Sequence, residues 1–128
     1  MKPYPSITNI PADFLGRACI AFEKLDGSNL RFLWNRRRGW CQFGTRHRVF
    51  TATDADFGPA IPRFLESLAQ PVEEAVLARH PRVEEFIVFC EYLGPHSFAG
   101  LHDPARLGVP DNQPMRLVPF DLNGVLVP

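Results

Sequence analysis

The chain has 128 residues, 45% of them apolar, and its 14 basic and 14 acidic side chains cancel to a formal net charge of zero. That length fits one domain with a single core, and the balanced charge removes any global pull towards nucleic acid or a membrane surface. No apolar run is long enough to span a bilayer and no signal peptide is visible, so the cytoplasm is the expected compartment.

Taken in chain order, Ala18-Cys-Ile-Ala-Phe22 reads as a buried strand. Asn29 to Trp34 and Trp40 to Thr45 read as a hairpin, with alternation carried by Leu30, Phe32 and Trp34. The turn between them is rich in arginine. Pro62 to Arg79 has a helical period through Phe64, Leu65, Leu68, Val72, Ala75 and Val76, interrupted at Pro71, where a kink or a break into two helices is expected.

Phe86-Ile-Val-Phe-Cys-Glu-Tyr92 is a continuous apolar run that predicts a central strand with Glu91 near its end. A loop rich in Gly, Pro, His and Asp should run from Gly94 to Pro114. Leu117 to Leu122 predicts another strand, and Gly124-Val-Leu-Val the start of one more. Hairpins with a helical insertion give an α+β domain with largely antiparallel sheets.

Cys19, Cys41 and Cys90 are odd in number and widely spaced, each in a strand-like stretch. They read as small core residues in a reducing compartment, with neither zinc spacing nor a disulfide framework. His96, His102 and Asp103 lie close together but lack a third well-spaced ligand, so a metal reading is set aside. Arg36, Arg37, Arg38, Arg46, His47 and Arg48 fall within a short window that could meet phosphates, although Asn35 to Gly39 is equally a solvated turn.

The lysines carry more information. The chain has 12 arginines but only two lysines, Lys2 and Lys24. Arginine stays protonated, whereas a lysine can give up its proton and act as an amine nucleophile. Lys24 stands in Lys-x-Asp-Gly between two strand-like stretches, a setting that invites covalent chemistry. The same Asp-Gly-Ser-Asn run is also ordinary turn chemistry, since Gly and Asn tolerate positive φ.

Lys24-Leu-Asp-Gly-Ser-Asn29, followed by Phe89-Cys-Glu91-Tyr-Leu-Gly94 and then Val118-Pro-Phe120-Asp121, resembles the ATP-dependent RNA ligases. These are covalent nucleotidyltransferases, related to DNA ligases and mRNA capping enzymes. The resemblance implies a ligase-type nucleotidyltransferase (adenylation) domain. Lys24 would attack the α-phosphate of ATP, release pyrophosphate and hold AMP as a phosphoramidate before passing it to a nucleic-acid 5′-phosphate for strand sealing. Glu23 and Leu25 would flank the adenylate, Glu91 would accept a hydrogen bond from the ribose, and Phe120 would stack on adenine. Arg46 would contact the nucleotide or a nucleic-acid phosphate, with Arg48 as an alternative.

Asn29 stands where DNA ligases usually carry arginine and so matches the RNA ligase form. The implied partners are RNA 5′-phosphate and 3′-hydroxyl ends, as in RNA repair, with Mg²⁺ as the implied metal and no membrane. Lys24 and Glu91 should point into one cleft.

The family's fourth and fifth motifs, a Glu-Gly pair and a Lys-x-Lys, have no counterpart. No lysine follows Lys24 and no glutamate follows Glu91. Residues 1–128 are therefore expected to be a partial, truncated adenylation domain that ligates poorly alone. Its unfinished sheet would offer an edge to a complementing C-terminal segment or to another copy. The alternatives are an inactive nucleotide- or RNA-binding remnant, a DNA ligase-like fragment, or a structural module without ATP-dependent behaviour.

Overall fold

The computed structural model describes residues 16–18, 24–103, 105 and 114–126. Strands β1 (Ser28–Asn35), β2 (Gly39–Thr45), β3 (Val49–Phe50), β4 (Val83–Leu93) and β5 (Arg116–Leu126) form one antiparallel sheet in the order β3-β2-β1-β4-β5. The fold is α+β, as expected. The predicted strand from Ala18 to Phe22 lies, apart from Ala18, outside the described residues.

The β1–β2 hairpin follows from its turn residues. The Asn35 side chain accepts the Arg37 N–H at 3.1 Å and the Asn35 carbonyl accepts the Arg38 N–H at 3.1 Å. Gly39 then takes φ +66°, a left-handed conformation that favours glycine. Opposed residues of an antiparallel pair share a face. Leu30, Phe32 and Trp34 therefore line up with Cys90, Val88 and Phe86, and all six are buried on one side of the sheet.

A helical run covers that side. Phe64 stacks on Phe32 with ring centroids 3.9 Å apart, and the Trp40 ring meets Phe64 edge-on at 4.7 Å. Ala60, Ile61, Ala69 and Val76 complete this core. The opposite side carries a smaller cluster of Leu33, Ile87 and Phe89 with Cys41 against it. β4 is thus buried on both faces, which explains the unbroken apolar run in its sequence. Cys90 has no exposed surface, and burial pushes its thiol up to about 12.

Three elements differ from expectation. The helical run starts at Ala60 rather than Pro62, and the expected division into two helices takes the form of α1 (Ala60–Phe64) and α2 (Gln70–Arg79) joined through a π-helical turn, Leu65–Ala69. Pro71 cannot donate to the Ser67 carbonyl, and its ring crowds that carbonyl in α geometry. The wider turn falls where that bond is missing. Within the expected 94–114 loop, residues Phe98–His102 form a short helix, α3. Its buried cap Ser97 accepts the Gly100 N–H and donates to the Gly94 carbonyl.

The third difference is β5. It is one strand, not two: Gly124 pairs with Phe86 in the same ladder that carries Leu117 opposite Tyr92. Pro119 and Asp121 pair with the consecutive residues Cys90 and Phe89, so Phe120 is the extra residue of a β-bulge. The bulge sits beside Pro119, which has no N–H for a ladder, and lets the strand continue past it. β5 lies at the edge of the sheet among the described residues.

Candidate functional site

β1 and β5 begin, and β2 and β4 end, at the same end of the sheet. Residues from distant parts of the sequence therefore meet there. Asn29 is opposite Glu91 across β1 and β4, and Glu91 is opposite Val118 across β4 and β5. Arg31 is opposite Phe89, whose ring lies 6.4 Å from that of Phe120. Both rows occupy the face away from the helical run. Phe120 keeps 45% of its surface exposed.

The Lys24–Gly27 segment docks onto this end. The Gly27 N–H donates to Glu91 Oε1 at 2.9 Å, joining groups 64 residues apart in sequence. A side chain at Gly27 would collide with the Tyr92 carbonyl and come within 2.9 Å of Glu91 Cγ. The turn reading of Asp-Gly-Ser-Asn is thereby corrected: among the described residues only Gly16 and Gly39 have positive φ. Gly27 is needed for close approach to β4 rather than for a left-handed turn.

Glu91 is half-buried, and burial pushes its carboxyl above the ordinary range. The Gly27 N–H and the charge of Lys24 oppose that rise, while Asp26 adds to it. Lys24 and Glu91 are thus electrostatic neighbours, with Lys24 exposed and Leu25 half-buried. The Asn29 side-chain oxygen is buried without a hydrogen-bond donor. That leaves an acceptor, beside a carboxylate, suited to a ligand that brings N–H or O–H groups.

Arg46 stands in the β2–β3 turn at this same end, where Thr45 Oγ1 receives the N–H groups of His47 and Arg48. Arg48, its alternative, is engaged within the protein. Its guanidinium pairs with Asp54 and approaches Asp56 at 3.7 Å, and this contact, chiefly the hydrogen bond, holds Asp54 down at about 2. Asp56 in turn lies 3.4 Å from His96. Glu23 lies outside the described residues.

The arginine-rich window is divided between the two ends of the sheet. Arg36 to Arg38 turn the β1–β2 hairpin at the far end, one strand length or about 25 Å away from Lys24. There Arg36 donates to the carbonyls of Val83 and Pro81 and pairs with Glu84 at 3.2 Å. An open groove of about 410 Å³, lined by Trp40, Leu65, Gln70, Glu73 and Leu77, also lies on the helical side, away from Lys24.

One site residue escaped the sequence reading. Arg31 is only 4% exposed, beside Asn29 on the same face of β1, and its guanidinium donates to the Thr45 carbonyl. Burial lowers its pKa. The available signal was an arginine placed within the Leu30-Phe32-Trp34 alternation, where a buried charge is costly without a role or a partner.

No group of three His, Cys, Asp or Glu side chains among the described residues could hold a metal ion. His102 instead bonds the Phe98 carbonyl through Nδ1. No helix among the described residues is long and apolar enough to cross a membrane. No family model, curated protein or solved structure matches the chain.

Proposed function

We propose that this end of the sheet is the nucleotide site of an RNA ligase-type adenylation domain, with Lys24 as the nucleophile. The observation that carries the reading is the Gly27 N–H bond to Glu91, which brings the first and third motif segments together. The bulge adds Phe120 to the same face. A ligase-type nucleotidyltransferase fold is part of this proposal.

In the reaction, the neutral Lys24 amine attacks the α-phosphorus of ATP. The new N–P bond forms as the P–O bond to pyrophosphate breaks, and the amine loses its proton. Glu91 and Asn29 present acceptors to ribose hydroxyls or base N–H groups, and Phe120 offers a face to adenine. Arg46 stands where it could offset phosphate charge. AMP then passes to an RNA 5′-phosphate, and a 3′-hydroxyl displaces it to seal the strand.

Binding without sealing is the second reading, because the Asn29 acceptor and the exposed Phe120 ring would hold a nucleotide whether or not Lys24 reacts. ATP titration tests the pocket in either case. Glu91→Ala and Phe120→Ala should each weaken ATP about tenfold, the scale of one hydrogen-bonded or stacked group. Unchanged affinity in both variants would remove the ribose and adenine assignments. Acid-labile labelling by radioactive ATP, lost in Lys24→Ala, separates adenylation from binding alone.

A further inference from the structure

We infer that α3 is a base-stacking platform for single-stranded RNA, set against the loop that carries Lys24. In this helix Ala99 is buried, while Phe98 is 54% and Leu101 66% exposed. Phe98 and His102 are stacked with ring centroids 4.4 Å apart and planes 25° apart, so each ring covers one face of the other while both residues stay exposed. Two large apolar side chains left exposed on one five-residue helix are the surface this inference starts from.

The platform is held rigidly. Ser97 caps it from a fully buried position, and Gly100 sits so close to the carbonyls of Gly94 and Pro95 that no side chain would fit. Two hydrogen bonds fasten it to the Lys24 loop: Phe98 N–H to Ser28 Oγ at 3.0 Å and Ala99 N–H to the Asp26 carbonyl at 3.1 Å. A base stacked on Phe98 would therefore be held at a fixed offset from Lys24. Aromatic faces accept any base. Lys24 and Arg46 stand at the same end of the sheet to meet its phosphates.

The choice of RNA rests on the ligase reading; the stacking chemistry does not. With few cations at hand, binding should depend on stacking more than on charge, and so fall only weakly with salt. The test is fluorescence anisotropy of the full chain with a labelled single-stranded RNA of about ten nucleotides, long enough to reach both the rings and the Lys24 loop. Phe98→Ala should weaken RNA binding about tenfold, Phe98→Trp should restore it, and neither should alter ATP affinity.

Wild-type affinity in Phe98→Ala, or no RNA binding by the wild-type chain, would overturn the platform. So would sedimentation showing that Phe98→Ala dissociates a dimer while RNA binding is unaffected. Phe98-dependent RNA binding in a chain that binds no ATP would sink the ligase reading and leave the platform standing. Normal ATP binding with Phe98-independent RNA binding would do the reverse.

Discussion

The two ends of the sheet handle their charged groups in opposite ways. At the far end Arg36 is tied to two backbone carbonyls and to Glu84, closing the β1–β2 turn onto the start of β4. At the near end Glu91 is half-buried with its carboxyl pushed up, Asn29 keeps an acceptor without a donor, and Phe98 and Phe120 stay exposed. Unpaired buried donors occur elsewhere too, at the indole N–H groups of Trp34 and Trp40. The near end differs in combining ionisable groups, an unpaired acceptor and exposed rings. A ligand bringing N–H or O–H groups and a flat ring could complete them.

Substitutions at the two ends should separate stability from binding. The largest effect is expected from Gly27→Ala, whose side chain would meet the Tyr92 carbonyl. Overpacking of this kind costs about 1–3 kcal/mol, and it would also push the Lys24 loop off β4. Urea denaturation and ATP titration should both register the loss. A Gly27→Ala chain with normal ATP affinity would show that the loop's docking does not matter to the site.

Arg36→Ala should cost less, about 1 kcal/mol for hydrogen bonds that are partly screened by solvent, and should leave ATP affinity untouched. A large fall in ATP affinity would mean that the far end takes part in binding.

Glu91→Gln should have the smallest effect on stability and a clear effect on its pH dependence. The folded-state pKa of Glu91 is raised, so its contribution is fully present below the unfolded value of 4.5 and is lost as pH rises through the folded value. Melting temperatures of the wild-type chain should therefore carry a downward slope from this group as pH rises above 4.5, which the variant lacks. Equal slopes would show that Glu91 is better solvated than its setting implies.

Sequence alone revealed the hairpin, the central strand and the α+β class, because alternation and turn residues are local signals. Lys24, Asn29, Glu91 and Phe120 could be picked out as candidates by resemblance, but their meeting depends on strand register. Register was not legible: the bulge at Phe120 and the union of Leu117–Leu122 with Gly124 follow from pairing with β4. The close approach of Gly27 to β4 was hidden for the same reason, since its neighbour is Tyr92 rather than its own turn. α3 was hidden in a stretch rich in Gly, Pro and His, where a buried Ser97 cap and backbone contacts outweigh weak propensity.

The central claim is that Lys24 lies beside a bound nucleotide's ribose and α-phosphate, and the chain's own composition makes it directly testable. Only Lys2 and Lys24 carry side-chain amines. ATP whose ribose has been oxidised to a dialdehyde forms a Schiff base with a nearby amine, and borohydride fixes it, with no need for the sealing reaction. Peptide mass spectrometry should find the label on Lys24, suppressed by excess unmodified ATP and greatly reduced in Glu91→Ala. Labelling spread equally over Lys2, Lys24 and the terminal amine, with no protection by ATP, would contradict the account.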